Sequence, residues 1–197
     1  MPSDSAVKTK KRRIIYRDNI QGLKQSQFRR LGYIAGIKEM SSICYEELRG
    51  IVKVKLEEII RKLDIYLSYN RSSTVNEYMI AGTIYPHIWS ENMSIKKCKI
   101  KPKSKKNTVE ENIKYYQKNS SRCLTFEKSV FKRLIKEIFR DFTTRSIRFS
   151  ENASILLQYF MEDYIVHLLI LANKVTLHAK RERVEPKDIN ISRKIFD

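Results

Sequence analysis

The fold is decided by residues 150–180, which read SENASILLQYFMEDYIVHLLILANKVTLHAK. Apolar residues recur there mostly at steps of three and four, and neither Gly nor Pro interrupts them, so the stretch predicts one long helix. A second apolar set lies at steps of four and seven, and a helix that is apolar on two faces must be covered on two sides. At 1.5 Å per residue this helix would span about 45 Å. We therefore expect a second helix of similar length to pack across it.

The composition favours a helical protein with a polyanionic partner. Among 197 residues, 40 Lys and Arg stand against 22 Asp and Glu, which gives a net charge of +18. Such a balance indicates nucleic acid first and a membrane surface second. All five Gly residues lie in the first half of the chain, which leaves little room for tight turns between strands. The composition therefore predicts an all-helical protein with enough apolar residues for a core.

Cysteine usage and hydropathy exclude several classes of protein. Cys44, Cys98 and Cys123 are scattered and contain no C-x-x-C pair, so we expect reduced thiols rather than a disulfide framework or a zinc site. We find no uncharged run of about 18 apolar residues and no apolar segment behind the basic N-terminus. The sequence therefore predicts neither a membrane span nor a secretory signal, and we expect an intracellular or packaged protein.

An enzyme is not expected. G-x-G-x-x-G, G-K-[ST] and H-E-x-x-H are absent. The adjacent acids Glu57 with Glu58 and Glu162 with Asp163 point apart on helices, which is typical of solvated faces rather than a catalytic pair. We therefore predict no catalytic residue, no metal, no cofactor and no small-molecule substrate.

The chain divides into four parts: a basic tail (1–13), a first folded unit (14–90), a lysine-rich linker (91–107) and a second folded unit preceded by an extra helix (108–197). Each unit follows one plan, in which a short helix, a loop, a long helix, a loop and another short helix succeed one another. The predicted helices are 25–34, 42–70 and 76–84 in the first unit, and 128–142, 150–180 and from 186 onward in the second. The plan repeats after about 105 residues, which predicts an internal duplication whose long helices cross.

This helix-loop-helix-loop-helix unit resembles the histone fold, and particular residues extend the resemblance. The first unit is similar to histone four in Arg17-Asp18-Asn19-Ile20-Gln21-Gly22, Arg29-Arg30-Leu31, Tyr45-Glu46-Glu47, Arg49-Gly50 and Lys53-Val54. The second unit is similar to histone three in Val109, Tyr116-Gln117-Lys118, Phe131, Arg133-Leu134, Asp141-Phe142, Arg148-Phe149, His178-Ala179-Lys180-Arg181 and Pro186-Lys187-Asp188-Ile189. The chain therefore resembles the fused histone doublets of large DNA viruses, such as the marseilleviruses.

The resemblance implies tandem histone folds that clasp each other in an intramolecular handshake and wrap double-stranded DNA in a nucleosome-like particle. Helix N-termini and loop amides would bind phosphates, and arginines would enter the minor groove. Arg148 matches the first-loop arginine of histone three. The DNA-binding residues indicated by the resemblance and the charge pattern are Lys10, Lys11, Arg12, Arg13, Arg17, Arg29, Arg30, Lys38, Lys118, Arg133, Arg148, Lys180, Arg181, Arg183 and Lys187.

The resemblance also implies partners. A second doublet similar to histones two-B and two-A would contact Tyr66 and Tyr69, for which ordinary core tyrosines are the alternative. Two copies of the chain would form a tetramer-like core through His178, Asp188 and Ile191, although a histidine without a special partner is the more common situation. The expected location is the virion and the viral factory or nucleus of the infected host.

Departures from the family pattern affect the first unit. Glu39 occupies the position of the first-loop arginine of histone four, and a carboxylate beside phosphates is repulsive, so looser wrapping is expected there. The arginine and aspartate that clasp the second loop of histone four are replaced by Ser72 and Met79, whereas the second unit keeps Arg181 and Asp188. We therefore expect the first unit to be the less stable one.

Two other functions remain open from the sequence. A histone-fold subunit of a transcription or scaffold complex would share this architecture without wrapping DNA, but the basic tail, the lysine-rich linker and Arg148 favour wrapping. A membrane-surface protein is disfavoured because the positive charge is spread over loops and tails instead of along one amphipathic helix.

Overall fold

A computed structural model describes residues 19–84, 96–97, 108–119, 123–143 and 145–196. Five predicted DNA-binding residues lie outside those ranges, as does most of the linker: Lys10, Lys11, Arg12 and Arg13 of the tail, and Arg17 of the first unit. The described chain consists of helices joined by loops and two-residue strands, so the predicted all-α fold class is confirmed.

The elements follow the predicted order. A 3-10 turn at Asn19–Gly22 comes first, followed in the first unit by α1 (Gln25–Ile34), β1 (Glu39–Met40), α2 (Ser42–Tyr69), β2 (Thr74–Val75) and α3 (Glu77–Ile84). The linker contributes β3 (Lys96–Lys97). The second unit contains α4 (Val109–Lys118), β4 (Cys123–Leu124), α5 (Lys128–Phe142), β5 (Arg148–Phe149), α6 (Glu151–His178), β6 (Arg183–Val184) and α7 (Pro186–Phe196).

The two units repeat one another down to the ends of their long helices. Helices α2 and α6 are both 28 residues long, and α6 begins 109 residues after α2. Each is followed by a basic residue in the left-handed conformation, with φ of 50° at Arg71 and 55° at Lys180. The amide of Ser72 then donates to the Leu67 carbonyl at 3.1 Å, and the equivalent amide of Arg181 donates to a carbonyl of α6 at 3.0 Å. These matching ends show the internal duplication in the backbone itself.

Short parallel strand pairs join the loops of the two units. β1 pairs with β6, and β2 pairs with β5, so the first loop of each unit lies beside the second loop of the other. Backbone hydrogen bonds extend both pairs, from Ser41 to Val184 at 3.1 Å and from Ser150 to Val75 at 3.0 Å. We call these pairs the β1–β6 bridge and the β2–β5 bridge. Together they hold the two units in a handshake within one chain.

Helix α6 lies at the centre of the core, where it packs against α1, α2, α3, α5 and α7. The core cluster contains residues of both units. Phe28 meets Phe126 edge to face with ring centroids 5.3 Å apart, and Tyr33 stacks on Tyr116 at 5.9 Å. Each unit thus covers apolar surface of the other, as the two-faced pattern of α6 requires.

The expectation that no segment is apolar enough to cross a membrane is wrong for α6 when length and composition alone are considered. This helix contains an 18-residue window with a mean hydropathy of 1.5. However, 56% of that window is buried inside the protein. The apolar character of α6 is therefore accounted for by its central place in the core.

The 3-10 turn of the first unit contacts α5 of the second. Asn19 donates to the Glu137 carboxylate through its backbone N–H, at 3.3 Å, and through its side chain. Gly22 lies so close to α5 that a Cβ added to it would be 2.6 Å from Cγ1 of Val130. This close approach explains why the motif that begins at Arg17 ends in a glycine.

Gly22→Ala is therefore expected to lower the free energy of unfolding by about 1–3 kcal/mol, because Val130 is stiff and the backbone must shift. Gly50→Ala is the matched control, since a Cβ there meets nothing within 4 Å. Within α2 that change should stabilise the protein by about 0.5–1 kcal/mol. Urea unfolding measures both, and effects of equal sign would contradict the packing explanation.

Glu162 is not a solvated acid, contrary to the expectation from its helical position. It is 3% exposed and accepts hydrogen bonds from the backbone N–H groups of Thr125, at 2.6 Å, and Phe126, at 2.8 Å. Gln158, one turn earlier on α6, donates to Glu162 at 2.8 Å and to the Phe126 carbonyl at 3.0 Å. Burial raises the pKa of Glu162 to about 7, although these hydrogen bonds oppose the shift. The two side chains attach the segment before α5 to the central helix.

The linker also contributes to the fold. β3 pairs in parallel with β4, with Lys96 opposite Cys123 and Lys97 opposite Leu124. β4 directly precedes the Thr125–Phe126 segment that Glu162 holds. The linker is therefore attached to the second unit at this point and is more than a tether.

The clasp predicted for the second loop of the second unit is formed. Arg181 Nη2 lies 2.6 Å from Oδ1 of Asp188, which is 1% exposed. At the equivalent positions of the first unit, the Ser72 hydroxyl exchanges hydrogen bonds of 3.2 Å with the backbone of Thr74, and Met79 packs against the core. The two units therefore differ at this loop in the way that their residues predicted.

We expect the amides at the end of α2 and in α3 to exchange hydrogen faster than the equivalent amides of α6 and α7, because a hydroxyl replaces a buried ion pair in the first unit. Hydrogen exchange of the full chain, followed by mass spectrometry, measures this difference. Slower exchange in the first unit would contradict the expectation that it is the less stable one.

Candidate nucleic-acid interface

Each bridge of the handshake carries one arginine, and both arginines come from the second unit. In the β2–β5 bridge Arg148 lies opposite Thr74, and in the β1–β6 bridge Arg183 lies opposite Glu39. Both arginine side chains are exposed. Because guanidinium groups bind phosphate through several N–H donors, each bridge presents a possible phosphate contact.

The β2–β5 bridge lies beside a cationic hollow of about 440 Å³. Lys136 and Arg140, one turn apart on α5, line it together with Arg145 and Arg148. Lys136, Arg140 and Arg145 were not among the DNA-binding residues predicted from the sequence, although the four-residue spacing of Lys136 and Arg140 on α5 was a usable signal. The hollow gathers four cations around the arginine that the sequence had indicated.

Arg145 connects this hollow to the other unit. Its Nη2 donates to Asp64 Oδ1 at 3.0 Å and to the Ser68 hydroxyl at 2.6 Å, both on α2. The loop that carries Arg148 is thereby attached to the long helix of the first unit. This attachment adds to the backbone hydrogen bond from Arg148 to Ser73, at 2.9 Å, in positioning the loop.

The β1–β6 bridge lies beside a second hollow, of about 400 Å³, in which cations are mixed with a carboxylate. Arg29, Lys38 and Arg183 line it together with Glu39. Arg183 Nε is 3.6 Å from Oε1 of Glu39. Arg29 Nε donates to the Tyr45 hydroxyl at 3.4 Å, and this hydrogen bond raises the pKa of Arg29. The two bridges therefore differ in charge even though their backbones match.

A long helix begins directly after each first loop. Ser150 caps α6 by accepting the Ala153 N–H at 3.1 Å, and α2 begins at Ser42, which lines the hollow beside the β1–β6 bridge. The first amides of a helix point outward along its axis and favour anions. The start of α2 can therefore contribute backbone donors to a phosphate contact in that hollow.

The other predicted DNA-binding residues in the described ranges are at the surface to different degrees. Lys38, Lys118 and Lys180 are exposed, and Arg30 is half-buried. Arg133 is exposed, and its Nε donates to the Ser129 carbonyl at 3.3 Å. Lys118, Arg133 and Lys180 line neither of the two hollows described above.

Arg181 and Lys187 are held by acidic groups next to the second loop. Arg181 contacts Asp188 at 2.6 Å and Glu185 at 3.2 Å, and Lys187 Nζ lies 2.7 Å from Glu185. Arg181 therefore supports the loop that carries Arg183, and its part in the site is to position that loop.

Residues 105–195 match the family model of the core histone domain, which covers histones two-A, two-B, three and four. The second unit is therefore similar to a core histone domain. The matched range includes both strands that carry arginines, β5 and β6, and the central helix between them. Core histone domains generally bind DNA and pair with other histone folds. In this chain the second unit pairs with the first through both bridges.

Apolar side chains are exposed at the end of α2 and at the start of α3. Tyr69 is 87% exposed and Tyr66 is 46% exposed, and Ile65 and Tyr78 are exposed as well. The alternative that the two predicted tyrosines belong to the core is therefore excluded for this chain taken alone. Such a group of side chains is typical of a protein interface.

A second exposed apolar group lies at the end of α6 and along α7. Leu177, Ile191 and Ile195 are exposed, and His178 lies beside Leu177 on the same helix. Asp188, the third residue predicted for self-association, is instead buried by its contacts with Thr176, Arg181 and Glu185. Its carboxylate is engaged within the chain, so the prediction that it contacts a second copy directly is not supported.

Among the described residues no cluster of His, Cys, Asp or Glu could hold a metal ion. The thiol of Cys44 is buried beneath the β1–β6 bridge and donates to the Val184 carbonyl at 3.4 Å. Burial raises the pKa of Cys44 to about 11. This cysteine therefore stays a protonated packing residue at neutral pH.

Proposed function

We propose that this chain packages double-stranded DNA as a core histone doublet, in which a histone four-like unit is fused to a histone three-like unit. The observation that supports the proposal most is that both bridges of an intramolecular handshake present an exposed arginine. The net charge of +18 also favours binding to a duplex, because each phosphate that is neutralised releases condensed cations.

The contacts would be electrostatic and largely independent of base sequence. Arg148 with Lys136 and Arg140 would bind phosphates and the inward-facing minor groove at one bridge, and Arg183 with Arg29 would do so at the other. Such an interface favours any duplex that bends easily.

The exposed apolar ends suggest how the particle is completed. Two copies would meet through the end of α6 and α7, where Leu177 and Ile191 need cover, and a second doublet similar to histones two-B and two-A would cover Tyr66 and Tyr69. The particle would be found with the viral genome, in the virion and in the viral factory or nucleus of the host.

Nuclease digestion tests this proposal against the alternative of a transcription or scaffold subunit. The full chain, assembled with a histone two-B and two-A pair on a long duplex of mixed sequence, should protect a fragment of defined length whose sequence varies. Protection of one short motif would support the transcription subunit instead.

Salt dependence gives a second test on the chain alone. The logarithm of the affinity should fall with the logarithm of salt concentration with a slope near −0.9 for each phosphate neutralised. A slope that corresponds to several phosphates supports wrapping. A slope equivalent to one or two phosphates would contradict it.

A further inference from the structure

The two bridges of the handshake differ in the residue that faces the arginine. Arg148 faces the uncharged Thr74, and the hollow around Arg148 is lined by cations without any acidic group among the described residues. Arg183 faces Glu39, whose carboxylate lies 3.6 Å from the guanidinium. The bridges match in backbone and in the presence of one arginine, so the charge opposite that arginine is what distinguishes them.

We propose that Glu39 makes the β1–β6 bridge the weaker of the two DNA contacts, because its carboxylate offsets the charge of the arginine that this bridge presents. The inference rests on the proposed wrapping of DNA and adds to it a difference in strength between the two contacts. The β2–β5 bridge, with Arg148 opposite a hydroxyl, is the stronger contact.

The physical reason is a competition for one guanidinium. An arginine already paired with a fixed carboxylate neutralises a phosphate less completely, so fewer of the cations condensed on the DNA are released when it binds. The carboxylate also repels the incoming phosphate. An unpaired arginine contributes both the attraction and the counterion release, and Arg148 meets that condition in the described structure.

The competition weakens binding at the β1–β6 bridge without abolishing it. The Arg183 and Glu39 side chains are 55% and 64% exposed, so water screens the pair and a phosphate can displace the carboxylate. Arg29 and Lys38 line the same hollow and keep its overall charge positive. The expected result is a graded difference between the two contacts rather than a bridge that cannot bind.

Reciprocal substitutions test the inference, because each bridge can be given the residue of the other. Glu39→Thr frees Arg183, and Thr74→Glu places a carboxylate opposite Arg148. Affinity of the full-length variants for a duplex of mixed sequence is measured over a series of salt concentrations, with circular dichroism to confirm folding. If Thr74→Glu fails to fold, Glu39→Gln replaces it as the second variant and should act in the same direction as Glu39→Thr.

Glu39→Thr should tighten binding by roughly three- to tenfold at low salt and steepen the salt slope by about 0.9, one phosphate equivalent. Thr74→Glu should weaken binding by a similar factor and flatten the slope by a similar amount. Unchanged or weaker binding by Glu39→Thr would overturn the inference, because Glu39 would then be orienting Arg183 for DNA. That result would not affect the proposed function, which depends on a steep salt slope of the wild-type protein. A shallow wild-type slope would contradict the proposed function itself.

Discussion

Glu162→Ala is expected to lower the free energy of unfolding by about 3–4 kcal/mol, because two buried backbone N–H groups and the amide of Gln158 lose their acceptor. The carboxylate accepts the N–H groups of Thr125 and Phe126 at 2.6 and 2.8 Å, and it is 3% exposed, so water cannot replace it without opening the core. The segment it holds connects β4 to α5. The substitution should therefore loosen the start of α5 as well as destabilise the whole protein.

Urea unfolding near pH 6 measures the loss, with Glu58→Ala as the matched control. Glu58 also lies on a long helix, but it is exposed and paired with Lys55 and Lys62, so its removal should cost less than about 1 kcal/mol. Similar losses for the two variants would show that Glu162 does not hold the segment in solution.

The pH dependence gives an independent readout of the same residue. Burial raises the pKa of Glu162 from 4.5 to about 7, so the native state binds a proton that the unfolded state has released. Its contribution to stability is therefore fully present below about pH 4.5 and is lost as the pH rises towards about 7, at roughly 1.4 kcal/mol per unit of pKa difference. Glu162→Gln should remove this dependence, and a variant that keeps the wild-type profile would contradict the assignment.

The two long helices and their crossing could be predicted because hydrophobic periodicity reports burial directly. A helix that is apolar on two faces needs cover on both, and in this chain α2 is the other helix of matching length. The resemblance implied a handshake of the two units, but the pairing of β1 with β6 and of β2 with β5 was not predicted. Strands of two residues are too short to leave an alternating pattern.

The role of Glu162 could not be predicted because its partners have no sequence signature. The N–H groups that it accepts belong to every residue, and the Thr125–Phe126 segment lies 36 and 37 residues away with no periodicity of its own. An acidic residue on a helix is normally solvated, but in the folded chain the segment before α5 packs over Glu162 and buries it. Distant backbone partners of this kind become visible in coordinates alone.

The candidate interface was predicted in part. Arg148 was indicated by its motif, and its exposure in the β2–β5 bridge agrees with the assigned position. The charge difference between the bridges depends on Glu39 and Arg183 meeting across a parallel pair, and those residues are far apart in the sequence. From the sequence, Glu39 was expected only to repel phosphate. The strand register adds that Glu39 lies opposite Arg183, and its carboxylate is 3.6 Å from that guanidinium.

Asp188→Ala is expected to cost about 3–4 kcal/mol, because it removes the short ion pair with Arg181 at the buried carboxylate and leaves the Glu185 N–H without its acceptor. Asp188 accepts hydrogen bonds from Arg181 at 2.6 Å, from the Thr176 hydroxyl at 3.0 Å and from the Glu185 N–H at 2.9 Å. These contacts tie the end of α6 to the start of α7. The same loop carries β6, so its loss should also loosen the β1–β6 bridge.

Ser72→Ala is the matched control, since Ser72 occupies the position of Arg181 in the first unit and bonds a local backbone through its hydroxyl. Its loss should cost less than about 1 kcal/mol. Hydrogen exchange should show faster exchange of the Ser41 amide, which donates to Val184 across the bridge, in Asp188→Ala and not in Ser72→Ala. Unchanged exchange at Ser41 in both variants would mean that the clasp does not support the bridge.

The pH dependence of the free energy of unfolding in acid should distinguish the contribution of Asp188 from that of Glu162. Burial alone would raise the pKa of Asp188, but the hydrogen bonds from Arg181, Glu185 and Thr176 lower it below the ordinary value of 3.8. Its contribution is therefore present above pH 3.8 and is lost as the pH falls through the lower native value. Asp188→Ala should flatten this acid loss while leaving the opposite dependence from Glu162 intact. A variant that still loses stability in acid as the wild type does would show that Arg181 does not hold the carboxylate ionised.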